Sequence, residues 1–280
     1  MTGAETSKIL MSGPTARPAT SDVLQAVSVV VPCYNEEEGL PHLARKLQSL
    51  QVGLGARVDV SFILVDDGST DRTWDVMNSL FQDDEAFTCL RHESNRGIAA
   101  ASATGIAAAT SEAVAVIDSD CSYDPALIAD MLPLLEADVS LVTASPYHRE
   151  GHVAGVPYWR LFLSRTASWS YRRLLRNNLA TYTSCFRLYR RSAVHELELR
   201  HEGFTGVAEK LALLDRRGWR IVEVPAVLEA RRFGQSKMQI LRVIRGHLIL
   251  MSQIAWANVR RQGHSFTPIQ ANNTFHGGHR

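Results

Sequence analysis

The chain has 280 residues, 30 Lys+Arg against 29 Asp+Glu, and is 45% hydrophobic and 21% charged. These counts exclude a wholly disordered chain, a collagen-like or coiled-coil rod and a disulfide-stapled miniprotein, and leave room for one large domain or two small ones. Near-neutral charge also argues against a nucleic-acid partner, but the charge is segregated. Residues 59–85 carry eight acids and one base, residues 157–191 eight arginines and no acid, and residues 230–280 eight Lys/Arg and no acid. Such a chain can hold a metal with its first half and anions with its later segments.

Residues 1–26 lack an apolar run of signal-peptide length and read as a disordered leader. Val27–Val31 is β-branched and reads as a buried strand, and 36–50 has helical spacing with Leu40, Leu43, Leu47 and Leu50 on one side. A strand over 61–65, a helix over 72–81, a weaker strand over 87–91, an Ala-rich helix over 97–109, a strand over 113–117, a helix over 125–135 and a strand over 140–143 follow. Strands alternating with helices predict an α/β fold with a mostly parallel sheet flanked by helices. The four cysteines form no CxxC pair, which favours a reducing compartment, and the ten histidines form no HExxH or HxH cluster and read as surface or tail residues.

In such a sheet the ligand lies beyond the carboxyl ends of the strands. Tyr34, Asn35 and Glu36 follow the first strand, Asp66 and Asp67 the second, Asp118 and Asp120 the fourth. Carboxylates at Asp118 and Asp120 can turn towards one hard cation, Mg²⁺ or Mn²⁺, with diphosphate oxygens completing its shell. The alternative, a helix N-cap, is already supplied by Asp124 before Pro125. No GxGxxG or GxxxxGK[ST] loop occurs, so dinucleotide-binding and P-loop readings lose support, and a diphosphate would be neutralised by metal and arginine.

Val31-Pro32-Cys33-Tyr34-Asn35-Glu36, Val65-Asp66-Asp67-Gly68-Ser69-Thr70-Asp71, Asn95-Arg96-Gly97 and Asp118-Ser119-Asp120 occur in this order. Gly203-Phe204, Glu209, Ile221-Val222-Glu223-Val224-Pro225 and Arg231-Arg232-Phe233-Gly234-Gln235-Ser236-Lys237 come later. Over about residues 27–240 the chain resembles the GT-A-type, family-two inverting glycosyltransferases, in their polyprenyl-phosphate, dolichyl-phosphate mannosyltransferase-like branch. The resemblance implies a nucleotide-diphospho-sugar-binding sheet and a sugar donor, GDP-mannose or a UDP-hexose. Pro32, Tyr34, Glu36, Val65 and Asp67 would surround the nucleoside. Asp118, Ser119 and Asp120 would approach the diphosphate, with Asp118 and Asp120 on the metal. Arg231 and Lys237 would close over the diphosphate or acceptor phosphate, and Arg160 and Ser164 would hold a lipid phosphate; Asp120, Arg160, Arg231 and Lys237 are the catalytic set.

Three positions depart from the branch. Ser122 stands where Gln is usual, Pro146 where an arginine is expected, with Arg149 the nearest substitute, and Tyr182-Thr183-Ser184-Cys185-Phe186 replaces Asp-x-x-Ser-Gly-Phe. A lipid-phosphate acceptor is already an anion and needs no general base. A hydroxyl acceptor would need a carboxylate, for which Glu209 is the candidate, and a degenerate, non-catalytic member is the third reading. A 238–260 helix places Gln239, Arg242, Gly246, Gln253 and Arg260 in a polar stripe, so its apolar remainder can meet a membrane interface, the domain itself or a second subunit of a homo-oligomer. The longest late uncharged run, 248–259, is too short to span a bilayer. The expected organisation is a GT-A domain over 27–237, an amphipathic helical extension over 238–262 and a disordered tail over 263–280, in a cytoplasmic protein peripheral on the inner face of the membrane.

Overall fold

The computed structural model describes residues 24–201, 203–231, 233 and 239–263. Most of the expected leader, Lys237 and most of the expected tail lie outside the described residues. β1 (Ala26–Cys33) is buried along nearly its whole length and pairs in parallel with β2 (Asp59–Asp66) and β4 (Ala113–Val116), while β3 (Phe87–Arg91) extends the sheet beyond β2. Side chains alternate across the pleat. Val27, Val29 and Val31 therefore join one core with Leu43 and Leu47 of α1 (Leu40–Leu54) and Met77 and Phe81 of α2 (Thr73–Phe81), whereas Val30 joins the other with Ala101 and Ile106 of α3 (Ile98–Ala108).

Two expected helices differ. Glu36 precedes α1, because its backbone N–H goes to Thr73 Oγ1 (2.7 Å), and its carbonyl accepts from Gly39 and Leu40. The expected helix over 125–135 is a single α turn, α4 (Ile128–Met131), between two 3-10 turns. Pro133 breaks it, since proline lacks an N–H and its ring collides with the carbonyl four residues back.

The second half completes the sheet with β5 (Val139–Ser145), β7 (Arg187–Arg190) and β8 (Arg220–Pro225), giving the order β3-β2-β1-β4-β7-β5-β8. Only β7 runs antiparallel, to both β4 and β5. The α/β architecture with a mostly parallel sheet flanked by helices, expected from the sequence, is the one observed. A separate two-stranded parallel ribbon joins β6 (His152–Ala154) to β9 (Val227–Glu229). α5 (Tyr158–Leu174) follows β6; the short α6 (Arg191–Val194) and α7 (Phe204–Arg216) lie between β7 and β8.

α8 (Ile240–Gly263) lies against α5 and α7. Leu250 and Ile254 are buried, His247 Nδ1 is 2.7 Å from Tyr171 Oη, and Asn258 Nδ2 donates to Leu174 O at 2.8 Å. Gly246, placed by the sequence in a polar stripe, faces inward, where a Cβ would fall 2.2 Å from Thr205 Oγ1. Leu241, Leu248, Trp256 and Val259 remain exposed. No helix among the described residues is long and apolar enough to cross a membrane.

Candidate active site

The loops after β1, β2 and β4 converge beyond the carboxyl ends of the parallel strands. Pro32 and Val65 are register partners at the end of β1 and β2, and Asp67 N donates to Cys33 O at 2.8 Å, which closes the floor. Side chains then strap the first two loops together. Asn35, at φ 53°, takes Thr70 N on Oδ1 (2.9 Å) while its own N–H goes to Ser69 Oγ (2.9 Å). Gly68 turns the second loop at φ 69°, and a Cβ there would fall 2.4 Å from the Ser94 carbonyl carbon. Asp66 is structural: Oδ1 accepts from Ser69 N at 3.0 Å and Oδ2 pairs with Arg91 Nε at 3.0 Å. Tyr34 is half-buried.

Glu36, Asp120 and Arg231 meet although they are far apart in sequence. Arg231 Nη2 donates to Glu36 Oε1 at 2.8 Å and Nε to Asp120 Oδ2 at 3.0 Å. Asp120 Oδ1 accepts from Ser122 N at 2.9 Å across a turn in which Cys121 has φ 52°. Ser119 is buried beside it. Burial, and then the charge of Asp120, push the Asp118 carboxyl well above the usual carboxylate range, while Arg231 and a hydrogen bond from the Cys185 thiol pull it back. Two crowded carboxylates with one held up for want of positive charge are a donor set that suits a hard divalent cation. Among the described residues no group of three or more His, Cys, Asp or Glu could hold a metal, so remaining ligands would come from substrate and water.

Asp67 is enclosed differently. Its Oδ1 accepts from His92 Nδ1 (2.7 Å) and Arg96 N (3.0 Å), and Oδ2 from Gly97 N (2.7 Å). The sequence reading placed the histidines on the surface or in the tail; the His92 side chain is instead tucked against Asp67, and His247 turns inward from α8 to Tyr171 of α5. The signal for His92 was its position directly after β3, another strand end.

The β6/β9 ribbon builds the other side. Glu229 N donates to Ser122 O (2.9 Å) and Ala230 N to Ala154 O (2.9 Å), so the chain leaves the same end of this parallel ribbon towards Arg231 and towards α5. Early on α5, Ser164 Oγ lies 2.9 Å from Thr183 Oγ1, while the buried Nε of Arg160 has no hydrogen-bond partner among the described residues. Glu223 fixes the loop that carries Thr183 by accepting from Ala180 N and Thr181 N, both at 2.7 Å. Arg149 is directed to the surface, paired with Glu150 at 3.2 Å. Glu209 Oε2 accepts from Arg200 N, His201 N and His201 Nδ1 at 2.9 to 3.0 Å and so braces the turn before α7.

This is a nucleotide-sugar transferase fold with a strand-end carboxylate cluster. The model of glycosyl transferase family 2 matches residues 28–198, and the chain belongs to that family of glycosyltransferases. Polyprenol monophosphomannose synthase of Mycolicibacterium smegmatis is 30% identical over 228 residues, 79% of this chain and 84% of that protein. Dolichol-phosphate mannosyltransferase of Pyrococcus furiosus is 27% identical over 215 residues, 76% of this chain and 59% of that protein. A solved mannosyltransferase of Pyrobaculum calidifontis, in complex with GDP-Man and Mn²⁺, superimposes with a TM-score of 0.58 at 18% identity, covering 82% of this chain and 64% of that one. The family resemblance read from the motifs is borne out.

Proposed function

We propose that this chain transfers a hexose, with inversion, from a nucleoside-diphosphate sugar to a polyprenyl phosphate, with Mg²⁺ or Mn²⁺ held by Asp118 and Asp120. The buried Arg160 Nε, without a hydrogen-bond partner among the described residues, carries the acceptor reading: such a guanidinium N–H in a segment free of acids suits an anion, and Ser164 with Thr183 supplies hydroxyls one turn away. The names of the mycobacterial and archaeal relatives support the same acceptor, and the GDP-Man and Mn²⁺ of the Pyrobaculum neighbour support donor and cation.

Pro32, Tyr34, Glu36, Val65 and Asp67 line the nucleoside side, and Ser119 lies at the diphosphate. A bound cation would neutralise charge gathering on the departing diphosphate. Arg231 leaves Glu36 and Asp120 as donor enters and, with Lys237, turns to the phosphates. Arg160 and Ser164 hold the acceptor phosphate in line with the anomeric carbon. One phosphate oxygen forms the new C–O bond as the bond to the diphosphate breaks, and the anionic nucleophile gives up no proton.

We also propose peripheral attachment to the inner face of the membrane through α5 and α8. Exposed Tyr158, Phe162 and Trp169 on α5 and Leu248 and Trp256 on α8 lie among arginines, with Arg173 over Trp169 (3.5 Å) and Arg260 over Trp256 (4.9 Å). Aromatic rings and Arg suit an anionic interface.

The acceptor reading is tested with Arg160→Ala. Transfer from radiolabelled donor to polyprenyl phosphate should fall at least ~100-fold, about 3 kcal/mol, while the calorimetric Kd for the nucleoside diphosphate stays within about two-fold. Parallel loss of both would place Arg160 in the fold or the donor site, and efficient transfer to a polyprenol lacking phosphate would refute the mechanism.

A further inference from the structure

The contacts of Asp67 leave it little freedom. A carboxylate offers about four lone-pair directions; the described donors occupy three of them, two on Oδ1 and one on Oδ2. An ionised aspartate only accepts, so His92 Nδ1 carries hydrogen towards it, and Thr104 Oγ1, 2.9 Å from His92 Nε2, satisfies the other ring nitrogen. The imidazole is 8% exposed and the carboxylate 3%, so little water competes for these bonds. Arg96 N and Gly97 N come from the turn that opens α3, and Thr104 from α3 itself, so the carboxylate is oriented by one rigid element and the histidine between them.

We propose that His92 is a positioning residue of the base subsite. Backed by Thr104, it fixes the Asp67 carboxylate so that the remaining acceptor direction, on Oδ2, meets a ring imide N–H. Guanine and uracil carry that N–H; cytosine presents a lone pair at the corresponding nitrogen and is rejected. The inference deepens the proposed function and rests on its reading of Asp67 as a nucleoside contact.

The test is calorimetry on the full chain with Mn²⁺ present, using UDP, GDP, CDP and inorganic pyrophosphate. The better of UDP and GDP should bind at least about ten-fold tighter than CDP. His92→Ala should bring that ratio within about three-fold while the pyrophosphate Kd is unchanged, and His92→Asn, whose Nδ2 takes the place of the ring Nδ1, should restore it. A wild-type ratio retained in His92→Ala overturns the proposal. If His92→Ala loses pyrophosphate as well, Thr104→Val decides, because it removes only the support behind the ring; an unchanged ratio there overturns the proposal, and a reduced ratio with pyrophosphate retained supports it. Asp67→Ala separates the two levels. A ratio lost there but kept in His92→Ala sinks the positioning role alone, and a ratio kept in both sinks the assignment of Asp67 to the base.

Discussion

At the residue scale, substitutions at a carboxylate and at a buried amine report on different things. Asp120→Asn keeps shape but removes one charge beside Asp118 and Arg231, and should lower transfer roughly thirty-fold, ~2 kcal/mol of transition-state stabilisation. Activity unchanged by it, or by EDTA, would contradict the cation-dependent mechanism. Lys210 on α7 has no part in the proposed mechanism. Its amine is buried, 5.4 Å from the Tyr189 ring centroid, and beside the fully buried Arg187, whose Nη2 donates to Tyr182 O at 2.8 Å. Burial, and then Arg187, lower its pKa from 10.5 to about 7. A lysine harder to charge when folded costs stability wherever the unfolded chain holds the proton, so the cost is full below about pH 7 and fades as pH rises towards 10.5. Lys210→Met should therefore stabilise the fold by on the order of 3 kcal/mol at neutral pH and raise the melting temperature, with the gain shrinking by pH 10; thermal melts of both proteins across that range check it. Glu36, Asp67 and Asp120 were legible because they close strand-end motifs. Thr104 and Thr183 were not, since their roles arise from contacts across the fold that no local spacing encodes, and His92 was passed over although it directly follows β3.

Elements whose apolar residues face a core are the ones a periodic pattern reveals. β1, β2, α1 and α3 follow that rule and match the expected spans within a few residues, Glu36 and Gly97 apart. α5 breaks it, turning Tyr158, Phe162 and Trp169 outward and burying Ser168 and Tyr171, so no apolar stripe announces it. β7 is four residues with arginine at both ends, and its antiparallel insertion between β4 and β5 depends on pairing invisible to composition. For α8 the helix was legible but not its inward face, because a glycine reads as neutral until a neighbour approaches it. Gly246→Leu should lift α8 from Thr205, speed hydrogen exchange at amides 243–258 and lower stability by about 1–3 kcal/mol, while Gly246→Ser should do less. Unchanged exchange would show that Leu250 and Ile254 suffice to dock the helix.

For the whole molecule, the segregation of charge seen in the composition becomes a division of surfaces: carboxylates gather at the ends of β1, β2 and β4, and the acid-free segments supply α5 and α8. Replacing Leu248 and Trp256 together by Glu leaves the buried face of α8 intact while placing two negative charges on its exposed side. This variant should lose most of its sedimentation with phosphatidylglycerol liposomes, and its calorimetric Kd for the nucleoside diphosphate should stay within about two-fold of wild type. Retained sedimentation would rule out α8 as the lipid-facing element.

The contact of Arg231 with Glu36 and Asp120 bears on how each substrate finds the enzyme in solution. With one fixed cation set between two carboxylates, half of their charge is cancelled before any substrate arrives. A nucleoside-diphosphate sugar chelated by a divalent ion has its two diphosphate charges cancelled, so neither party pulls the other from a distance, and the encounter proceeds at the unsteered rate, nearly indifferent to salt. The acceptor phosphate is different. It approaches acid-free arginine segments as a bare anion, and its capture weakens as added electrolyte shortens the Debye length, to about 8 Å at physiological ionic strength. Capture of the donor and capture of the acceptor thus differ in their sensitivity to the ionic medium, the second alone weakening with added salt.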